Sequence, residues 1–184
     1  MTFVAGSAAV RRSVGRGRAL VWLAALVMPI GAALALAAAF GVATVHNDSM
    51  NPTLYSGDTV LFDRWSPPGR GDVVLLIDRE GWSGTPDALL VKRVVGVAGD
   101  VVACCESGTG RLLLNGTPLQ EAYAGAVRPG GAIPFRVTVP EGAVWVMGDN
   151  RAASVDSRAS VSAPGHGAVA RDDLRGTARA WWDG

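Results

Sequence analysis

From Ala19 to Val45 the chain reads ALVWLAALVMPIGAALALAAAFGVATV, 27 residues without a charged side chain. A run of that length crosses the hydrocarbon core of a bilayer as one helix. A helix suits that setting because it bonds its own backbone, and Pro29 is tolerated there with at most a kink. A cleavable signal peptide has an apolar core of only about 7–15 residues, so the length predicts a retained anchor over residues 19–45. The preceding residues 1–18 hold Arg11, Arg12, Arg16 and Arg18 and no acid. Positive charge before a first span predicts a cytoplasmic tail and an extracytoplasmic domain over residues 46–184. No second stretch of comparable length follows, and residues 178–182 are far too short to span, so a single pass is expected.

With those four arginines set aside, residues 48–184 carry 13 basic and 16 acidic groups, a net charge of −3. Such a surface argues against nucleic acid as a partner, because binding phosphates needs clustered positive charge. Short β-rich runs follow the anchor at residues 59–65, 71–78, 88–97, 100–104, 111–116, 135–139 and 143–147, separated by Gly- and Pro-rich turns. No long window keeps a helical period. The expected fold is mostly β: antiparallel sheets forming one catalytic domain of about 140 residues behind a single transmembrane helix, enough for one core. Trp65, Trp82, Trp181 and Trp182 read mostly as core, since large aromatics dominate packing in small β domains.

Of the 17 basic residues, 16 are arginine and Lys92 is the only lysine. Arginine stays charged inside proteins, whereas a buried lysine can lose its proton. Lys92 sits in Leu89-Leu90-Val91-Lys92-Arg93-Val94-Val95-Gly96, where alternation puts apolar residues on both faces. Burial there would lower its pKa and make it a base, although an edge-strand lysine reaching out to water fits the same pattern. Directly after the anchor comes Asn47-Asp48-Ser49-Met50-Asn51-Pro52-Thr53-Leu54. Pro52 disfavours a regular helix and leaves Ser49 on an extended segment or turn. A third segment, Gly148 to Arg158, packs Asp149, Arg151, Ser154, Asp156 and Arg158 behind a strand. Cys104 and Cys105 are neighbours, and a vicinal disulfide and two thiols are both open. Neither His46 nor His166 has ligand spacing to them, so no metal is expected.

These segments together resemble type I signal peptidases. The boxes Ser49–Leu54, Arg70–Val74, Lys92–Asp100 and Gly148–Arg158 occur in the order of that family, behind an anchor. The resemblance implies a serine endopeptidase without cofactor, in which Ser49 is the nucleophile and Lys92 the general base. It implies that Ser154 orients the lysine amine, and that Arg93, Asp149, Arg151, Asp156 and Arg158 support the loop. The oxyanion hole of the family uses the N–H of the nucleophile, often with a hydroxyl two residues earlier. That earlier position is Asn47 here, and its side-chain amide is the expected donor. The implied partners are membrane lipid and the signal peptides of secreted preproteins, with small residues at the first and third positions before the cut. A histidine-based triad built on His46 or His166 is the weaker alternative, neither residue having a buried setting. A catalytically silent membrane module fits poorly with Ser49, Lys92 and Ser154 all present.

Overall fold

The computed structural model of the chain describes residues 8–85, 87–124, 129–131 and 133–184; residues 1–7 of the expected tail lie outside it. Contacts divide the chain after Ala39 into a helical unit and a β unit that begins at Phe40. Helix α1 runs Ala8–Ala39 with Pro29 inside it. Its segment Leu20–Ala39 has a mean hydropathy of 2.3, and none of it is buried within the protein. Twenty residues at 1.5 Å each make about 30 Å, the thickness of the bilayer hydrocarbon.

The helix stops at Ala39 rather than reaching Val45. Phe40–Thr44 is instead strand β1, paired antiparallel with β2, Thr59–Asp63, from Phe40 opposite Asp63 to Thr44 opposite Thr59. An uncharged stretch cannot say where helix yields to strand. The alternating FGVAT segment finds backbone partners in a neighbouring strand, and that pairing sets the boundary.

The β unit holds two antiparallel sheets. Beyond β2 the strands are β3 (Val73–Ile77), β4 (Leu89–Val97), β5 (Val101–Cys104), β6 (Leu112–Leu114) and β7 (Thr117–Pro118), then β8 (Phe135–Thr138), β9 (Ala143–Met147), β10 (Val169–Ala170) and β11 (Leu174–Trp182). The larger sheet has the order β1-β2-β11-β3-β4-β9-β10 and the smaller one β7-β6-β5-β8. The seven expected strands all form, mostly trimmed by a residue or two. β1, β7, β10 and β11 are additions, and β11 lies inside the larger sheet between β2 and β3. Its sequence, LRGTARAWW, carries small residues and two arginines in place of the apolar runs that mark β3, β4 and β9.

Three apolar clusters fill the unit. Val74, Leu76, Leu90, Val94, Val144, Val146 and Val169 cover one face of the larger sheet. Val45, Met50, Leu54, Val60, Phe62, Val73 and Leu75 form a second cluster. A register shift between Val94 and Gly96 opposite β9 lets Val95 join Trp145 in a third cluster with Val102 and Val137 of the smaller sheet. A Cβ at Gly96 would press on Val102 and Val139, so the close approach of the two sheets requires glycine. Trp145 is the fully buried tryptophan; Trp65, Trp181 and Trp182 are exposed and Trp82 half-buried, contrary to the expectation of core.

Candidate active site

The turn carrying Ser49 is pinned by its apolar neighbours. Met50 and Leu54 are fully buried in the second cluster, and Thr53 N–H and Leu54 N–H both donate to Met50 O, at 2.8 and 3.0 Å. These anchors leave Ser49 buried and turned toward the sheet. The Lys92 amine meets it there, with Nζ 2.8 Å from Ser49 Oγ.

Lys92 is 3% exposed and lies opposite Val74 in the middle of the larger sheet. Leu90 and Val94, two positions away on the same strand, belong to the first apolar cluster. β3 pairs with β4 on one side and the Ser49 turn meets the amine, so this buried lysine does not reach for water. Burial disfavours the ammonium and lowers the Lys92 pKa to about 8. Asp156 pulls the other way by favouring the charged form, and Arg158 in turn opposes Asp156.

The loop after β9 wraps the dyad. A Cβ at Gly148 would collide with Ser154 Oγ and Ser49 O, so only glycine fits between them. Gly148 N–H donates to Asp156 Oδ2 at 3.1 Å, and Arg158 grips both carboxylate oxygens of Asp156 at 2.8 Å. Arg93 does the same for Asp149, at 2.8 and 2.5 Å. Arg151 donates to Gly148 O at 3.0 Å and forms a two-armed pair with Glu121, both side chains 2% exposed. The five residues expected to support the loop therefore lie together near Gly148.

Four further residues join them without having been singled out by sequence. Thr53 Oγ1 donates to Asp149 Oδ2 at 2.6 Å. Asn150 donates its N–H to Ser49 O and its Nδ2 to Asp48 O, both at 3.0 Å. Tyr123 lies under the Arg93 guanidinium, 4.1 Å from ring centroid to Cζ, and its hydroxyl donates to Glu121 at 2.9 Å. Thr53 and Asn150 sit inside the recognised boxes, where their polarity was a usable signal. Glu121 and Tyr123 come from an irregular stretch with no periodicity to mark them. Arg70 pairs with Asp100, whose carboxylate also takes the Val97 N–H, thereby joining two of the sequence boxes.

Two expected roles look different in the structure. Ser154 Oγ is buried close to Ser49 but makes no hydrogen bond, to Lys92 or to any other described group. Asn47 does not present its amide N–H toward the site; its Oδ1 accepts the Ser49 N–H at 3.1 Å. The histidines stand apart from the dyad's bonds: His46 is exposed and His166 Nδ1 pairs with Val161 O at 2.9 Å. Cys104 and Cys105 form a vicinal disulfide at the end of β5.

Residues 19–182 match the profile of the family described as signal peptidase, peptidase S26. The chain is 32% identical to "Probable signal peptidase I" of Mycobacterium leprae, over 84% of this chain and 69% of that one. It is 32% identical to signal peptidase I U of Bacillus subtilis, over 72% and 70% of the two. Signal peptidase I of Mycobacterium tuberculosis is 35% identical over 62% of this chain, which spans about half the length of that relative.

Proposed function

The chain belongs to the S26 signal peptidase family of membrane-anchored serine endopeptidases, and from that membership we propose that Ser49 is its nucleophile and Lys92 its general base. The observation that carries the assignment is the 2.8 Å approach of the one lysine to Ser49 Oγ inside an apolar sheet. A serine hydroxyl attacks poorly until a base takes its proton. Neutral Lys92 accepts that proton as Oγ adds to the scissile carbonyl, then returns it to the departing amine. Water, activated by the same amine, hydrolyses the acyl group from Ser49. The Ser49 N–H stabilises the oxyanion. Ser154 orients the lysine by rotating its unpaired hydroxyl toward Nζ.

The substrates are preproteins, cut after a signal peptide with small residues at the first and third positions before the cut. β9 pairs with β4 only from Arg93 onward, so Leu89–Lys92 have β3 on one side and no strand on the other. That free edge suits an extended peptide, whose alternate side chains would point into the site. The basic tail lies in the cytoplasm and the β unit outside, against membrane lipid. The test is cleavage of a purified preprotein by the full chain in detergent. Parent enzyme should release the mature protein and Ser49→Ala should release none. Substantial turnover by Ser49→Ala would end the assignment.

A further inference from the structure

The Ser49 N–H, on which the oxyanion site rests, is already engaged: it donates to Asn47 Oδ1. The peptide that carries it is held from its other side. The Asp48 carbonyl accepts from Asn150 Nδ2 at 3.0 Å and from Asn51 N–H at 3.2 Å, and Ser49 O accepts the Asn150 N–H. A planar trans peptide sends N–H and C=O in opposite directions. Fixing the oxygen therefore fixes the aim of the N–H. Ser49 is buried, whereas Asn47 is exposed, so its side chain has solvent to swing into. The donor is rigid and its present acceptor is the movable member.

We propose that Asn47 is a displaceable cap on the oxyanion donor. Its Oδ1 fills the position that a scissile carbonyl oxygen must take, and the reacting peptide gains the Ser49 N–H only by expelling it. The inference rests on Ser49 being the nucleophile. An amide oxygen and a ground-state peptide carbonyl are similar acceptors, so their exchange changes little. An oxyanion accepts a hydrogen bond about twice as strongly, so the exchange becomes favourable as charge develops. Stabilisation is thereby confined to the transition state, where it accelerates the reaction. Between turnovers the cap keeps a backbone donor from standing unpaired.

A peptide aldehyde with small residues at the first and third positions probes this directly. Ser49 Oγ bonds to the aldehyde carbon, the carbonyl π pair moves to its oxygen, and the hydroxyl proton passes to Lys92. Association rates are measured with the full chain in detergent micelles. Asn47→Ala removes the cap and should associate about two- to tenfold faster than parent, the range set by the net value of one such hydrogen bond. Asn47→Asp keeps an oxygen there and charges it, and should associate more slowly than parent. Amide hydrogen exchange at Ser49 should quicken in Asn47→Ala. An unchanged or slower rate in Asn47→Ala, with the adduct still on Ser49, overturns the cap alone. That pattern is what a purely donating or purely structural Asn47 would give. Failure of the parent to form any adduct at Ser49 would overturn the nucleophile assignment as well.

Discussion

Lys92 concentrates the opposing forces of the site on one amine. Its pKa of about 8 leaves a minor neutral fraction at pH 7 and a majority above pH 8. Values of kcat/KM should therefore rise with pH through an apparent pKa near 8. Lys92→Arg, with no accessible neutral form, should fall by at least about 10³-fold and lose that limb. The same shift carries a stability cost of definite sign. The folded state binds its proton more weakly than the unfolded chain, so the cost is complete below pH 8. It fades as pH rises from 8 toward 10.5. At about 1.4 kcal/mol per unit, Lys92→Met should gain roughly 3 kcal/mol at pH 7, measured by denaturant unfolding, and less at pH 10. Ser154 gives a second opposition of stability and activity. Replacing its unpaired buried hydroxyl in Ser154→Ala should leave stability within about 1 kcal/mol of parent or raise it. Cleavage should still slow by roughly tenfold if the hydroxyl serves Lys92 during turnover.

At the scale of elements, the loop after β9 is a polar structure held from three sides: by the Ser49 turn, by β4 through Arg93, and by the segment carrying Glu121. The Arg151–Glu121 pair is almost wholly buried, so removing one partner strands a charge. Glu121→Ala should cost about 3–5 kcal/mol, and Arg151→Ala a similar amount. The double variant should cost much less than their sum, which a double-mutant cycle would read as coupling. Gly148→Ala tests how closely the loop approaches the nucleophile. Its methyl would displace Ser49 or Ser154, so activity should drop while most of the fold, anchored in the apolar clusters, persists.

The whole molecule is an apolar helix followed directly by a β unit whose first strand begins one residue after the helix ends. The buried residues of the three clusters in that β unit lie between Val45 and Val169. If the basic tail is cytoplasmic, protease added to intact cells should digest the β unit and spare the tail. Protection of the β unit would reverse the proposed orientation.

The uncharged run and the strand patterning were enough to predict an apolar helix and a mostly β domain, because each is a local or periodic property of the sequence; the pairing of Ser49 with Lys92 was implied by the family resemblance of the four boxes. The single lysine marked its own strand, but whether that strand lay inside a sheet was beyond reach. Burial of Lys92 depends on its pairing with β3 and on the Ser49 turn, which comes from 43 residues away. β11 escaped notice for a related reason: its residues are poor strand markers, and pairing with β2 and β3 imposes its shape. The end of the helix at Ala39 was likewise decided by β2, a long-range partner of β1. Glu121 became part of the site only because folding sets it against Arg151, 30 residues away. Asn47 shows the finest limit. Its position beside Ser49 was plain from the sequence, yet which end of its amide faces the nucleophile depends on where the backbone N–H points. That direction comes from Asn150, across 102 residues of chain.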